Sequence, residues 1–259
     1  MRFFVHLSFN GTHYHGWQIQ KNAPCVQAFL EDAISRVLEE TVTVTGCGRT
    51  DTGVHAIDFW AHFNYSGIPF GCEVITYKIN AILPHDICVH GIFQVPENLH
   101  ARYHALNRTY RYYIRMNKEP FLEGVSAAPG TYASTLPSLE LMNRGAALLL
   151  GTHDFTSFSK LHSHTRTNIC TVTEASWFTK EQEFGINPLW VFQVTANRFL
   201  RNMVRCMVGT LLEIGKGKKP VEWILQLLEE KNRSLAGFSV PPQGLFLWKV
   251  HYEKLKTIN

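Results

Sequence analysis

The chain has 259 residues, of which 45% are hydrophobic and 18% charged, and its formal net charge is +4. This composition is that of a globular protein with enough apolar residues for a core in one large domain or two small ones. No segment offers the roughly 18 uninterrupted apolar residues of a membrane helix, and the alternating start is too short for a signal-peptide core. We therefore expect no membrane contact and a cytoplasmic location.

Cysteine and histidine spacing predicts no metal site. Six cysteines are scattered at positions 25, 47, 72, 88, 170 and 206, without a Cys-x-x-Cys pair. This is typical of reduced thiols in the cytosol, not of a disulfide framework or a zinc knuckle. None of the thirteen histidines belongs to a helical His-x-x-x-His motif with a glutamate,. We expect neither a metal nor a cofactor.

Basic residues are concentrated in two blocks. From Asn98 to Leu122 the only acid is Glu119, and from Phe184 to Pro220 the only acid is Glu213. The basic residues are Arg102, Arg108, Arg111, Arg115 and Lys118 in the first block and Arg198, Arg201, Arg205, Lys216, Lys218 and Lys219 in the second. Basic blocks interleaved with aromatic residues are typical of proteins that bind an anionic polymer with bases to stack on. An ordinary solvated basic surface remains the alternative.

The first half of the chain predicts the order β-α-β-β-α-β. Alternation and β-branched residues indicate the strands, and apolar residues at helical spacing indicate the helices. The predicted elements are a strand ending at Phe9, a helix from Val26 to Leu38, strands at 41–47 and 57–65, a helix from near Pro69 to Leu83, and a strand at 86–95. This is the split βαβ order of ferredoxin-like domains.

The second half predicts a repeat of the same order. Its elements are strands at 108–116, 169–179, 189–196 and 245–252 and helices at 139–150, 199–214 and 221–231. No local sequence identity supports a duplication, so the repeat is an architectural interpretation. We predict an α+β fold with two ferredoxin-like halves, residues 1–106 and 107–259.

The predicted helix from Phe199 to Ile214 carries a continuous apolar stripe. Arg198, Arg201 and Arg205 follow at helical spacing beside that stripe. Arginines in such positions often extend their stems over a core. An anion bound at this face would be the functional reason for three positive charges in a row.

The segment Gly46–His55, with the sequence GCGRTDTGVH, is the most informative motif. Its small residues allow the backbone to approach a ligand closely. Arg49, two positions before Asp51, is a basic partner that can hold this carboxylate ionised. A tight turn between two strands is the alternative, because glycine, aspartate and threonine are common turn residues.

Three kinds of chemistry compete for Asp51. Asp51-Thr52-Gly53 is the triplet of aspartic proteases, but a second such triplet is missing, Arg49 opposes a shared proton, and the predicted helices do not fit an all-β protease,. A metal site built from histidines has no supporting spacing. The third interpretation, nucleophilic or acid–base chemistry by an isolated ionised carboxylate, fits best.

Sequence blocks along nearly the whole chain occur in a recognisable order. They are Phe9–Gln20, Val26-Gln27, Gly48–Ala56, Leu83–Ile87, His100–Tyr103, Arg108–Tyr112, Gly151–Phe155, Asn197–Arg205 and Gly244–Leu247. Together they resemble the TruA-type tRNA pseudouridine synthases, whose catalytic loop is similar to Gly48–Ala56. Asn10 and Thr52 depart from the family's usual aspartate and alanine, and Lys160–Thr167 differs as a variable loop.

The resemblance implies roles for individual residues. Asp51 would be the nucleophile that isomerises uridine to pseudouridine, Arg205 would pair with it, and Tyr110 would stack on the uracil and serve as a candidate general base. The target uridine would be flipped out of its stack. The resemblance does not decide whether Asp51 attacks C1′ or C6 or acts on the 2′ hydrogen. We expect the remaining substrate-binding residues to be Arg49, Arg198, Arg201, Lys216, Lys218 and Lys219.

The resemblance also implies the assembly and the substrate. The two halves would share a mainly antiparallel central sheet, with helices on one face and a cleft between the halves. The enzyme would act as a homodimer on uridines 38, 39 and 40 of the tRNA anticodon arm. The alternative is a non-catalytic RNA-binding module, because RRM domains share the βαββαβ order. The chain lacks the RNP1 signature of such modules, and a carboxylate beside bound phosphates would have no purpose there.

Overall fold

The computed structural model describes residues 1–67, 71–128, 136–160, 166–183, 185 and 187–253, and this part of the chain is a mixed α+β protein. Its contacts divide the chain into two compact units. One comprises residues 1–107 together with the strand that continues from Phe246, and the other comprises residues 108–245. The C-terminal strand, which we assigned to the second half, therefore belongs to the first unit.

The first unit contains a mainly antiparallel sheet with two helices. Its elements are β1 (Arg2–Phe9), α1 (Val26–Leu38), β2 (Thr45–Gly46), β3 (His55–Asn64), α2 (Cys72–Ile82), β4 (Ile87–Val95) and β9 (Leu245–Tyr252). The strand order is β4-β1-β3-β9, and β2 also pairs with β3. Strand β9 is parallel to β3, whereas the other pairs are antiparallel.

Apolar periodicity explains these elements. Phe3, Val5, Leu7 and Phe9 alternate along β1 and are all buried, so that this face of the strand lies against a core,. Phe4, on the opposite face, is also buried. The buried side of α1 runs from Val26 to Leu38. The helix stops because the next residue, Glu39, has a left-handed backbone with φ of 53°,.

The second unit is built around an antiparallel sheet of order β5-β8-β7-β6. Its elements are β5 (Ala105–Ile114), α3 (Leu139–Ala147), β6 (Gly151–Asp154), β7 (Ile169–Lys180), β8 (Leu189–Ala196), α4 (Met203–Gly215) and α5 (Trp223–Glu230). Helix α3 is fixed to β7 because the Asn143 side chain bonds both the amide and the carbonyl of Trp177. Helix α4 is buried along its length except at Arg205 and Glu213.

The structure corrects three sequence predictions. Helix α4 begins at Met203, not Phe199, because Asn202 has a left-handed backbone with φ of 69°. Arg198 and Arg201 therefore precede the helix, and the predicted row of three arginines on one helix face was wrong. Strand β6 was not predicted, and the predicted strand at 41–47 is reduced to the two residues of β2. Pro69, predicted near the start of a helix, lies outside the described residues.

Two negative findings apply to the described part of the chain. None of its helices has the length and apolar character needed to cross a membrane. All six cysteines are within it, and no disulfide joins them.

Candidate active site

Asp51 lies in the loop between β2 and β3 and is half-buried. The loop closes on itself because the Val54 amide donates to the Asp51 carbonyl at 3.1 Å. Gly53 has a φ of 76°, a conformation that L side chains rarely adopt,. The glycine two positions after Asp51 is thus required by the backbone of the turn.

The loop between β1 and α1 packs directly against the Asp51 loop. A Cβ on Gly16 would lie 2.1 Å from the Thr50 carbonyl oxygen, and one on Gly11 would lie 2.1 Å from the Val54 carbonyl oxygen. Gly16 also has a φ of 84°. These two glycines therefore allow the loop between β1 and α1 to contact the Asp51 loop at Thr50, before Asp51, and at Val54, after it.

Tyr14 connects this packing to a third segment. Its carbonyl accepts the Gly53 amide at 3.2 Å, and its hydroxyl donates to Oδ1 of Asp86 at 2.5 Å. Asp86 is fixed in turn, because its own carbonyl accepts the Asn10 amide at 2.9 Å. Burial, followed by the bonded Asp86 carboxylate, raises the pKa of Tyr14 above its ordinary value, so the hydroxyl remains a donor to Asp86.

His55 ends the Asp51 loop and has a structural role. Its ring is buried, and its Nδ1 accepts the Gly11 amide at 3.0 Å. The ring stacks on Phe246 at the start of β9, with centroids 4.5 Å apart and an interplanar angle of 22°. Residues from three other sequence blocks thus hold the Asp51 loop in one conformation.

The residues just before Asp51 have contrasting environments. Arg49 is exposed. Thr50 is 9% exposed, and its buried hydroxyl has no hydrogen-bond partner among the described residues. A Cβ on Gly48 would meet no atom within 4 Å. Neither packing nor a left-handed backbone therefore explains the glycine at position 48.

Arg205 lies in the first turn of α4 and is half-buried. Its Nε donates to the Val240 carbonyl at 2.7 Å, and the Val240 amide donates to the Arg205 carbonyl at 3.2 Å. Its Nε is thus committed within the second unit. The guanidinium orientation is fixed by this bond.

Tyr110 projects from β5 in the second unit and is half-buried. Its ring meets Phe199 edge to face, with centroids 5.0 Å apart and an interplanar angle of 80°. Phe199 belongs to the same sequence block as Arg205. The structure thus places Tyr110 against the segment that leads into α4.

The other predicted binding residues of the second unit occupy two places. Arg198 and Arg201 lie in the segment before α4, where Arg201 is exposed. Lys216, Lys218 and Lys219 follow the end of α4. Nζ of Lys218 lies 3.8 Å from Glu213, and Nζ of Lys219 lies 5.0 Å from the centre of the Trp223 ring.

Arg115 does not belong to a basic surface. Its side chain is 9% exposed, donates to the carbonyl and hydroxyl of Ser126, and pairs with Glu123 at 2.6 Å. The first basic block therefore includes a structural arginine that a count of charges cannot distinguish. Among the described residues, no cluster of three or more histidine, cysteine or acidic side chains could hold a metal ion.

Sequence reasoning missed the residues that support the Asp51 loop. Tyr14, Asp86 and Phe246 all lie in sequence blocks that were recognised, but only their resemblance to a family pattern drew attention to them. The glycines and aromatic residues of these blocks were the sequence features that could have indicated this support, but no role follows from them in the sequence alone. Only the folded chain shows that they share one site.

The Asp51 loop, held in one conformation on an α+β scaffold, is suited to present a carboxylate to a substrate. Residues 7–104 and 146–253 match the family model described as tRNA pseudouridine synthase. The chain belongs to this family. The match includes Asp51 and Arg205, whereas Tyr110 lies between the two matched segments.

Relatives with the same name match over nearly their full length. A tRNA pseudouridine synthase A from Porphyromonas gingivalis is 45% identical over 97% of both chains. One from Bacteroides fragilis is 45% identical over 97% of this chain and 96% of its own. One from Exiguobacterium is 39% identical over 96% and 97%. A solved structure of the CRISPR endoribonuclease Cse3 bound to RNA matches with a TM-score of 0.20, which is too low to indicate a shared fold.

Proposed function

We propose that this member of the tRNA pseudouridine synthase family modifies uridines 38, 39 and 40 of the anticodon arm, with Asp51 as nucleophile. The observation that carries the proposal is the fixed, half-buried Asp51 loop inside the matched family segment. In the reaction the N1–C1′ bond breaks, the uracil rotates and a C5–C1′ bond forms. The proton lost from C5 is balanced by the one gained at N1, so no cofactor is consumed.

The proposal gives two residues of the second unit a part in the chemistry. Arg205 would pair with the Asp51 carboxylate and keep it ionised and oriented. Its fixed guanidinium supports this role, because a guanidinium held by one bond loses little entropy when it forms another. Tyr110 would stack on the flipped uracil and accept or relay the C5 proton.

Several finer predictions are part of the proposal. Arg49, Arg198 and Arg201 would contact the tRNA, together with the lysines 216, 218 and 219. The enzyme would be a cytoplasmic homodimer, with two ferredoxin-like halves divided after residue 106. The element order β1-α1-β2-β3-α2-β4 of the first unit supports that description of the first half.

Asp51→Asn is the decisive variant, because the amide keeps the shape of the side chain and removes its negative charge. Purified wild-type protein should form pseudouridine at positions 38–40 of a tRNA transcript that contains uridine there. The Asp51→Asn protein should form none and still bind the tRNA. Asp32→Asn is a matched control, because Asp32 is an exposed carboxylate that pairs with Arg36 on α1. Substantial turnover by Asp51→Asn would overturn the assignment.

A further inference from the structure

The turn from His100 to His104, between β4 and β5, is held rigid by its own histidines. Nδ1 of His100 accepts the amides of Arg102 at 3.1 Å and Tyr103 at 3.4 Å. Nδ1 of His104 accepts the His100 amide at 3.0 Å, and the His104 amide donates to the His100 carbonyl at 3.1 Å. These four bonds fix the backbone from which Arg102 and Tyr103 project.

Ala101 anchors the turn to the sheet of the first unit. It is fully buried, its amide donates to Nδ1 of His62 on β3 at 3.2 Å, and its carbonyl accepts the Tyr252 hydroxyl of β9 at 2.5 Å. The turn therefore cannot shift without breaking bonds to two strands. Its outward side chains are presented in a fixed position.

Tyr103 forms an exposed aromatic platform on this turn. Its side chain is 75% exposed, although its ring lies 4.2 Å from that of His100. The His100 ring lies 4.6 Å from the buried His62, and the Arg102 guanidinium lies 5.9 Å from the centre of the Tyr103 ring. A column of rings thus runs from the core to an aromatic surface with a cation beside it.

The surroundings of the platform are positively charged. Arg2 of β1 reaches the turn and donates to the Leu99 carbonyl at 2.6 Å. Burial lowers the pKa of His100, and the charges of Arg2, His104 and Arg102 lower it further. The acid of this segment, Glu97, is 80% exposed and lies 3.3 Å from the N-terminal ammonium group. An anionic ligand is therefore attracted to this turn.

The platform is remote from the Asp51 loop. The loop leads into β3 at His55, whereas the turn contacts β3 at His62, seven residues further along. At about 3.3 Å per residue the separation along the strand is roughly 23 Å. The platform cannot contact the uridine that reacts at Asp51 and must serve a different part of any bound RNA.

We propose that Tyr103 and Arg102 form a second RNA-binding subsite, in which Tyr103 stacks on an unpaired base of the tRNA and Arg102 pairs with its phosphate. A fixed ring with a cation at its edge is the combination that binds single-stranded nucleotides without sequence preference. The inference rests on tRNA being the substrate. It adds a site remote from the reacting nucleotide to the proposed function.

The test compares Tyr103→Ala with Tyr103→Phe, with Tyr77→Ala as a matched control because Tyr77 is a 77% exposed tyrosine on α2. Affinity for a full-length tRNA transcript is measured by fluorescence anisotropy, and turnover is measured in single-turnover reactions at saturating tRNA. Tyr103→Ala should raise Kd roughly 5- to 100-fold. Tyr103→Phe and Tyr77→Ala should leave Kd unchanged. All three variants should react at the wild-type rate once saturated.

Arg102→Gln supplies an independent arm of the test. The slope of log Kd against log salt should decrease by about 0.7, the value for one phosphate that is no longer neutralised on a single strand. An unchanged Kd for Tyr103→Ala, with wild-type protein active, would overturn the subsite and leave the proposed function intact. A change in oligomeric state of Tyr103→Ala on sedimentation would also overturn it, because the platform would then face a second copy of the chain. Failure of the proposed function would instead appear as absence of pseudouridine with wild-type protein.

Discussion

Gly16 lies against the carbonyl of Thr50 so closely that a methyl group on Gly16 would be 2.1 Å from that oxygen. Thr50 precedes Asp51, and Gly16 lies 34 positions earlier in the chain. The conformation of the proposed catalytic loop therefore depends on a loop that provides none of the proposed reacting groups. The packing of Gly16 against Thr50 gives a structural reason for the sequence block Phe9–Gln20.

Gly16→Ala should damage both stability and activity. The new methyl group meets backbone atoms, which cannot move aside as a flexible side chain would, and the φ of 84° is itself unfavourable for alanine. We expect the free energy of unfolding in urea to fall by at least about 2 kcal/mol. The single-turnover rate should fall with it, because the Thr50–Asp51 backbone must shift.

Gly48→Ala is the matched control for that variant. Its methyl group enters open space, and its backbone is not left-handed. Its free energy of unfolding should equal or slightly exceed that of wild-type protein. A destabilisation equal to that of Gly16→Ala would show that loss of a glycine anywhere in this region is harmful, and that the close approach to Thr50 is irrelevant.

Two buried threonines should respond oppositely to valine. Within the part of the chain that the structure describes, the Thr50 hydroxyl has no hydrogen-bond partner. The Thr210 hydroxyl, by contrast, donates to the Cys206 carbonyl at 2.9 Å and accepts the Gly237 amide at 3.1 Å. Thr50→Val should raise the free energy of unfolding by about 1 kcal/mol, and Thr210→Val should lower it by roughly 1–3 kcal/mol. Urea denaturation of both variants checks this. A loss of stability in Thr50→Val would mean that its hydroxyl is satisfied in solution.

Long elements with regular apolar spacing could be predicted from the sequence. Helix α1 and strand β9 have the predicted limits, because alternation and helical spacing record the buried face directly. The start of α4 could not be predicted. Phe199 and Leu200 continue its apolar pattern, and only the left-handed backbone of Asn202 separates them from the helix. Strand β6 is four residues long, too short for alternation to be distinctive.

The site could be predicted only in part. The position of Asp51 in a loop before a strand follows from the local sequence. The support from Tyr14 and Asp86 does not, because a hydrogen bond between residues 72 positions apart leaves no local pattern. Burial of Arg115 was equally hidden, since the pairing with Glu123 depends on how the chain folds after β5.

Arg115 and the lysines after α4 should separate stability from RNA attraction. Arg115→Ala removes the donors to Ser126 and the pairing with Glu123, so the free energy of unfolding should fall by roughly 2 kcal/mol,. The salt dependence of tRNA binding should be unchanged.

Joint replacement of Lys216, Lys218 and Lys219 should leave the free energy of unfolding unchanged. It should lower the slope of log K against log salt by about 0.7–0.9 for each phosphate that the variant no longer neutralises. A smaller slope of log K against log salt for Arg115→Ala than for wild-type protein would contradict the structural role of Arg115 and show that it contacts RNA.

His62 should make stability depend on pH. Burial lowers its pKa to about 4, and the charges of His100 and Arg2 add to the shift. The unfolded chain, with an ordinary histidine pKa near 6.5, binds the proton more readily than the folded chain between pH 6.5 and 4. Above pH 6.5 His62 is neutral in both the folded and the unfolded chain and does not lower the free energy of unfolding. As the pH falls from 6.5 the free energy of unfolding decreases, by up to about 3 kcal/mol at pH 4.

His62→Gln removes the titrating group and keeps an acceptor for the Ala101 amide. Its free energy of unfolding should vary less with pH in that window than that of wild-type protein. His13→Gln, at an exposed position, should preserve the wild-type pH dependence. Parallel curves for the wild-type and His62→Gln proteins from pH 6.5 to 4 would contradict the prediction.

Arg205→Ala should reduce turnover far more than Arg201→Ala. The two residues have the same charge, so attraction of RNA alone predicts equal losses. They differ in setting, because Arg201 is exposed before α4 and Arg205 is held within α4 by its bond to Val240. If Arg205 orients Asp51, its loss should lower the single-turnover rate at saturating tRNA by about 100-fold or more, the order of a lost charge-stabilising group. Loss of Arg201 should raise Kd only.

Arg205→Lys should recover only part of the rate. A lysine keeps the charge, but it has no Nε to bond Val240 and no planar fork to pair with a carboxylate. Because the bond to Val240 is also structural, the free energy of unfolding must be measured for each variant, and Arg205→Ala is expected to lose about 1 kcal/mol through it. A rate loss that persists at temperatures where each variant is fully folded belongs to the reaction. Equal losses for Arg205→Ala and Arg201→Ala, confined to Kd, would make Arg205 a phosphate-binding residue and leave Asp51 without its proposed partner.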